Sequence, residues 1–75
     1  MSAGGFRQIR FLRLDEVVGM TGLSKSEIYR RISDGRFPQS RAYRDSPKKR
    51  FWTSVEVEQW QREQIGEDEF EALLR

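Results

Sequence analysis

The spacing of apolar residues in the first half of the chain predicts two short helices joined by a glycine turn. Residues 15–21 form the first predicted helix, which begins with two acidic residues where the helix dipole favours negative charge. Gly22 follows, a residue type that adopts the backbone angles of a tight turn. Residues 24–34 form the second predicted helix, and Gly35 suits its left-handed carboxyl-terminal cap. The pattern indicates a helix-turn-helix.

The second predicted helix has a defined start and two different faces. Ser24 and Glu27 match the S-x-x-E capping box, in which each side chain accepts a hydrogen bond from the other residue's amide. Ile28 and Ile32 lie four residues apart and therefore point together toward a core. Polar or basic residues remain on the outer face: Lys25, Ser26, Tyr29, Arg30 and Ser33. In a helix-turn-helix, the second helix enters the DNA major groove with such a face.

The middle of the chain predicts a β-hairpin with a basic loop. Residues 9–14 favour a short strand ahead of the first helix. Residues 40–43 and 51–52 form the two limbs of the hairpin, and residues 45–47 form its bend. Beside a helix-turn-helix such a hairpin is a wing. Its basic residues are Arg41, Arg44, Lys48, Lys49 and Arg50.

The last third of the chain predicts another helix and a short acidic tail. Thr53 and Glu56 repeat the capping-box spacing, and Trp60 is expected to be the bulkiest core residue of the helix that follows. Gly66 ends this helix. The tail beyond it carries an apolar stripe that either packs on its own fold or contacts another copy of the chain, formed by Phe70, Leu73 and Leu74.

These elements predict one small domain that is mainly α-helical with a small β-hairpin, a winged helix-turn-helix. We expect a flexible lead-in over residues 1–8, a DNA-binding domain over residues 9–66 and an acidic helical tail over residues 67–75. The chain has no cysteine and no histidine, so disulfides, thiolate metal sites and the commonest general base are excluded. No nucleophile stands beside a base and no phosphate loop is present, so we expect neither an enzyme nor a cofactor. No apolar run is long enough for a membrane span, and an intracellular location is expected.

The net charge of +2 conceals two halves of opposite sign. Residues 1–52 contain 12 Lys and Arg against 5 Asp and Glu, a net +7, whereas residues 53–75 contain 2 against 7, a net −5. A basic half attracts a polyanion, although the two halves could also simply neutralise each other. The helix-turn-helix lies in the basic half, which favours the polyanion.

Candidate DNA contacts follow from these two features. Ser26 and Arg30 suit base edges, because arginine pairs with guanine O6 and N7 and serine both donates and accepts. Lys25 and Tyr29 suit phosphates, as do the basic residues of the wing. The complete predicted set is Ser24, Lys25, Ser26, Tyr29, Arg30, Arg31, Ser33, Arg41, Arg44, Lys48, Lys49 and Arg50. The alternative is an ordinary capped surface helix beside a solvated loop.

Two other residue groups allow a competing interpretation. Tyr43, Phe51, Trp52 and Trp60 would suit a base-stacking platform for single strands, but a domain of this size needs its aromatic residues for the core. The tail carboxylates would suit a metal, but they lack the spacing of a calcium loop and are more typical of a solvated helix face. These carboxylates are Glu67, Asp68, Glu69 and Glu71.

Three segments in order resemble the AlpA family of prophage regulators. They are residues 10–17, residues 21–32 and the Gly-Arg-Phe-Pro of residues 35–38. Two later features complete the resemblance, which covers about residues 9–65: a tryptophan, Trp52, in the returning strand of the hairpin, and the E-V-x-x-W helix of residues 56–60. The resemblance implies a winged helix similar to MerR DNA-binding domains and phage excisionases, with a recognition helix over residues 24–34 and a wing over about residues 40–52.

The resemblance also implies a role on a mobile element in the bacterial cytoplasm, at the nucleoid. Such a protein activates transcription of an integrase gene, acts as an excision directionality factor, or does both. Its partners would be promoter or attachment-site repeats, integrase or RNA polymerase, and further copies of itself on DNA. Arg31 departs from the apolar residue of many relatives, and the loop of residues 42–50 is longer and more basic. The rival function is a protein-interaction adaptor, similar to an anti-repressor, whose basic face binds an acidic protein.

Overall fold

The computed structural model describes residues 8–75, and the predicted mainly helical fold with a small hairpin is confirmed there. Of the predicted flexible lead-in, all but Gln8 lies outside the described residues. The elements are β1 (Phe11–Leu12), α1 (Leu14–Thr21), α2 (Lys25–Ser33), β2 (Arg41–Ala42), β3 (Arg50–Thr53), α3 (Ser54–Ile65) and α4 (Glu67–Leu73). The longest of these helices has 12 residues, and none within residues 8–75 could span a bilayer.

The helix-turn-helix is held by hydrogen bonds at the glycine turn. Gly22 has a φ of 75°, and its amide donates to the carbonyl of Val18 over 2.9 Å. The Thr21 hydroxyl donates to the Val17 carbonyl over 2.8 Å and accepts from the Leu23 amide over 3.2 Å. Because a residue with a side chain rarely adopts this φ, glycine fixes where α1 ends and how α2 departs.

The sheet has three antiparallel strands in the order β1–β3–β2. The predicted hairpin is β2 and β3, with Arg41 opposite Phe51. The pairing of β1 with β3, in which Leu12 lies opposite Trp52, was not predicted from the sequence. Two hydrogen bonds extend it: the Arg10 amide donates to the Ser54 hydroxyl over 2.9 Å, and the Ser54 amide donates to the Arg10 carbonyl over 2.8 Å. The sheet thereby connects the start of the helix-turn-helix to the wing.

The core lies between the helix-turn-helix, the sheet and α3. Its buried members are Leu12, Val17, Ile28, Phe37, Trp52 and Val57. Trp52 is only 2% exposed, and its indole Nε1 donates to the Pro38 carbonyl over 2.8 Å. Trp60, expected to be the bulkiest core residue of its helix, packs against the core but is only partly buried. Trp60 packs at the edge of the core against Phe37, with ring centroids 5.0 Å apart, whereas β1 and β3 place Trp52 inside it.

The tail forms a short helix that packs on α3. Gly66, with a φ of 100°, separates α3 from α4. Phe70 is buried, and the Arg62 guanidinium lies over its ring at 4.5 Å from the centroid. Leu73 and Leu74 are 66% and 65% exposed, so only Phe70 of the predicted apolar stripe packs within the fold. Arg62 pairs with three carboxylates, those of Glu58, Glu67 and Glu71.

Candidate nucleic-acid interface

The outer face of α2 presents side chains that have no hydrogen-bond or ion-pair partner in the part of the chain that the structure describes. Ser26, Tyr29, Arg30 and Ser33 are all exposed, and no hydrogen bond or ion pair within residues 8–75 engages their side chains. Ile28, on the opposite side of the helix, is fully buried. The predicted separation into an inner and an outer face is therefore confirmed. The helix offers hydroxyls and a guanidinium to an external ligand.

The start of α2 is fixed by the predicted capping box. The Ser24 hydroxyl accepts from the Glu27 amide over 3.1 Å, and the Glu27 carboxylate accepts from the Ser24 amide over 2.9 Å. The hydrogen bond from the Ser24 amide to the Glu27 carboxylate is the main cause that lowers the pKa of Glu27, and the interaction of that carboxylate with the Ser24 hydroxyl adds to it. Lys25 Nζ lies 3.8 Å from Asp15 Oδ1 in an exposed pair. Such a long exposed pair contributes little, so Lys25 can exchange it for a phosphate.

The wing has an ordered loop with three cations on its surface. The Tyr43 amide donates to the Lys49 carbonyl over 3.2 Å, and the Lys49 amide donates to the Ser46 carbonyl over 2.9 Å. Arg44, Lys48 and Lys49 are exposed and have no ion-pair partner among residues 8–75. The loop therefore carries its positive charge on a defined turn.

The other two predicted wing contacts, Arg41 and Arg50, are held by groups of the protein itself. The Arg41 guanidinium donates to both carboxylate oxygens of Glu56, over 2.9 to 3.3 Å. The Arg50 guanidinium donates to the Ser40 hydroxyl over 3.0 Å and to the Ser40 carbonyl over 2.7 Å. Sequence reasoning missed these partners, because the spacing of the basic residues does not show which carboxylate lies beside the wing. Each guanidinium retains further N–H donors.

Glu56 connects the wing to the third helix. The Glu56 carboxylate accepts from the Thr53 amide over 3.4 Å and the Glu56 amide donates to the Thr53 hydroxyl over 3.2 Å, which completes the predicted capping box of α3. The Thr53 hydroxyl also donates to the Glu56 carboxylate over 2.8 Å. The hydrogen bonds from Arg41 are the main cause that lowers the pKa of Glu56, and the same contact raises the pKa of Arg41. The base of the wing is thus fixed against α3 by a two-point charged contact.

We predict that Glu56→Gln reduces the pH dependence of stability. The pKa of Glu56 is lower in the folded protein than its ordinary value of 4.5, so its stabilising contribution is present above that value and is lost as pH falls through the folded pKa. The Arg41 side chain is 58% exposed, so we expect a loss of only about 0.5–1 kcal/mol for the variant at neutral pH.

Urea unfolding of both proteins at about pH 7 and about pH 3 measures this effect. The difference in free energy of unfolding between the two proteins should shrink at the lower pH. The other carboxylates titrate in both proteins, so the difference isolates Glu56. A difference that is constant with pH would contradict the assignment.

The aromatic residues chiefly build the protein interior. Trp52 and Phe51 are buried, as expected for core residues. Phe11 stacks on Phe51 with ring centroids 4.2 Å apart, and Tyr43 lies 4.6 Å from Phe51. Phe11 remains 52% exposed, but the three rings pack on one another, so they do not form a row of free rings. Stacking of several unpaired bases needs such a row.

The comparison with protein families identifies the chain. The model of the prophage CP4-57 regulatory protein (AlpA) matches residues 10–65. The chain belongs to the AlpA family. AlpA proteins are prophage regulators, and the mainly helical fold with its small antiparallel sheet is that of a small winged DNA-binding domain. The match ends where α3 ends, so α4 lies outside it. Neither the comparison with curated proteins nor the comparison with solved structures gives a match.

Proposed function

We propose that this AlpA-family chain binds double-stranded DNA with α2 in the major groove. Ser26 and Arg30 contact base edges, and Lys25 and Tyr29 contact phosphates beside them. The observation that supports this most directly is the outer face of α2, whose hydroxyls and guanidinium are exposed and have no hydrogen-bond or ion-pair partner within residues 8–75. Ser24, Arg31 and Ser33 flank this surface. Ser24 and Arg31 lie close to phosphates at the two ends of the contact between α2 and the major groove.

The wing supplies the second part of the proposed interface. Arg44, Lys48 and Lys49 lie along the DNA backbone or enter the adjacent minor groove. Arg41 and Arg50 use their remaining N–H donors for the same purpose. Because Glu56 and Ser40 hold these two guanidinium groups, the remaining N–H donors lie at fixed positions, and less side-chain entropy is lost on binding. Glu56 compensates the charge of Arg41, so the net positive charge at the base of the wing comes from Arg50.

The proposed biological role is control of a mobile element by regulation of its integrase gene, by promotion of excision, or by both. One small module buries only about 600–1,000 Å² on DNA, so occupation of repeated promoter or attachment sites by several copies increases selectivity. Residues 9–66 serve as the DNA-binding unit, and the tail of residues 67–75 offers exposed Leu73 and Leu74 for contacts between copies. Integrase and RNA polymerase are the proposed protein partners, and the bacterial nucleoid is the proposed location.

Selection of bound duplexes from a random-sequence library tests the sequence preference. We expect one motif to be enriched, and we expect it to occur in repeats at the promoter of an integrase gene or at an attachment site of the element that carries the gene. Recovery of sequences without any enriched motif would contradict base reading by α2. Absence of binding to any duplex would favour the adaptor function instead.

The double variant Arg44→Ala/Lys48→Ala tests the wing separately from the helix. Phosphate contacts carry affinity but little sequence information, so we expect weaker binding to every duplex with the enriched motif unchanged. The slope of log affinity against log salt should fall by about two, because two phosphate contacts are lost. A changed motif with an unchanged slope would contradict the proposed role. Salt titration of both proteins on one duplex measures the slope.

A further inference from the structure

A cavity of about 500 Å³ lies between the first turn of α1 and the loop of the wing. Arg13 and Glu16 line it on the helix side, and Tyr43, Ser46 and Lys49 line it on the wing side. Phe11 forms part of its wall, stacked on Phe51. An apolar wall beside charged groups strengthens electrostatic attraction, because it excludes part of the water that would screen the charges.

The charges in this cavity favour an anion. Arg13 and Lys49 have no ion-pair partner in the described part of the chain. The Glu16 carboxylate is already engaged, since it pairs with Arg10 over 3.1 Å and accepts from the Arg13 amide over 2.9 Å. Asp45 is the one lining carboxylate that is without an ion-pair partner among residues 8–75. The hydroxyls of Tyr43 and Ser46 also lack hydrogen-bond partners there, and both can donate to an oxyanion.

The cavity adjoins the wing directly and the amino end of α2 through the first turn of α1. Lys25, the first residue of α2, approaches Asp15 in the first turn of α1, with Nζ and Oδ1 3.8 Å apart. Glu16 follows Asp15 directly and Arg13 lies two residues before it, and both line the cavity whose opposite side is the wing. A duplex that contacts both the amino end of α2 and the wing therefore has its backbone near the residues that line the cavity.

We propose that this cavity binds one backbone phosphate of the DNA, held between Arg13 and Lys49. The proposal rests on the proposed function and adds to it a contact from outside both the recognition helix and the wing, that of Arg13. A phosphodiester carries a single negative charge and two free oxygens, which match two converging cations and a hydroxyl donor. The site contributes affinity without reading sequence.

The test compares Arg13→Gln with a matched control, Arg75→Gln, which removes the same charge from the tail. Both proteins are titrated with salt on one duplex by fluorescence anisotropy. We expect Arg13→Gln to lower the log-log salt slope by about one and to weaken binding roughly tenfold at about 0.1 M salt, as for the loss of one phosphate contact. The Arg13 side chain is exposed and makes no hydrogen bond within the described residues, so thermal melting should be unchanged.

A second pair of variants tests the same site by removal of a negative charge, which should strengthen DNA binding. Asp45→Asn removes the opposing carboxylate and should tighten binding by several-fold, whereas Asp68→Asn, on the tail, should not. Equal slopes and affinities for Arg13→Gln and Arg75→Gln, in a wild-type protein that binds DNA, would overturn the phosphate site and leave the proposed function standing. A wild-type protein that does not bind DNA would overturn both.

Discussion

Substitution of Arg30 by alanine is expected to remove most of the protein's preference for its selected DNA site. One bidentate contact between arginine and guanine contributes about 1–3 kcal/mol of discrimination between bases. The affinity ratio between the selected duplex and a random duplex should therefore fall by about five- to 150-fold. Arg30 is the side chain for this role, because it is exposed on α2 and has no hydrogen-bond or ion-pair partner within residues 8–75.

Two controls separate base recognition from charge at this position. Arg30→Lys retains the positive charge but loses the planar pair of donors, so binding to random duplexes should persist while the preference falls. Arg75→Ala removes a cation of the tail and should leave the preference unchanged. Equal weakening of the selected and random duplexes by Arg30→Ala would show that Arg30 contacts phosphate only. Competition anisotropy with the two duplexes measures the ratio.

Replacement of Trp52 by alanine is expected to have the largest effect on stability. Truncation of a buried aromatic side chain costs about 3–5 kcal/mol, and the Pro38 carbonyl also loses its indole donor. A domain of this length has a total free energy of unfolding of only about 4–11 kcal/mol. Trp52→Ala should therefore unfold at much lower urea concentrations than the wild type, with a substantial unfolded fraction in buffer.

Trp60→Ala is the matched control for this substitution. Trp60 also donates its indole N–H to a backbone carbonyl, that of Arg36 over 3.0 Å, but its ring lies at the edge of the core. The two variants thus lose the same atoms and the same kind of hydrogen bond from sites of different burial. Circular dichroism during urea unfolding should show the smaller loss for Trp60→Ala. An equal or larger loss would contradict the placement of Trp52 at the centre of the core.

Local signals in the sequence predicted the helices and the orientation of α2. The capping boxes at Ser24 and at Thr53 form as expected, and Gly22 and Gly35 adopt positive φ. The buried and exposed faces of α2 follow from the spacing of Ile28 and its neighbours. Such features depend on residues within one or two helical turns, so a single sequence contains the information that specifies them.

Features that depend on tertiary placement could not be predicted from the sequence. The pairing of β1 with β3 joins two-residue and four-residue strands across the whole helix-turn-helix, and strands so short carry little periodic signal. The choice of Trp52 over Trp60 for the core depends on that pairing. The engagement of Arg41 by Glu56 and the approach of Arg13 to the wing depend on how the sheet docks on the helices. The predicted DNA contacts thus needed the structure to show which cations already have partners.

Fluorescence anisotropy of the protein with a labelled random duplex, titrated across salt concentration, tests DNA binding most directly. We expect binding at about 50 mM salt that weakens as salt rises, with a log-log slope of several units, because each phosphate contact contributes about 0.9 to the slope. A slope of several units would agree with the several phosphate contacts proposed for the cations of α2, the wing and the cavity beside Arg13. Absence of binding at about 50 mM salt, where counterion release strongly favours association, would contradict DNA recognition by this fold.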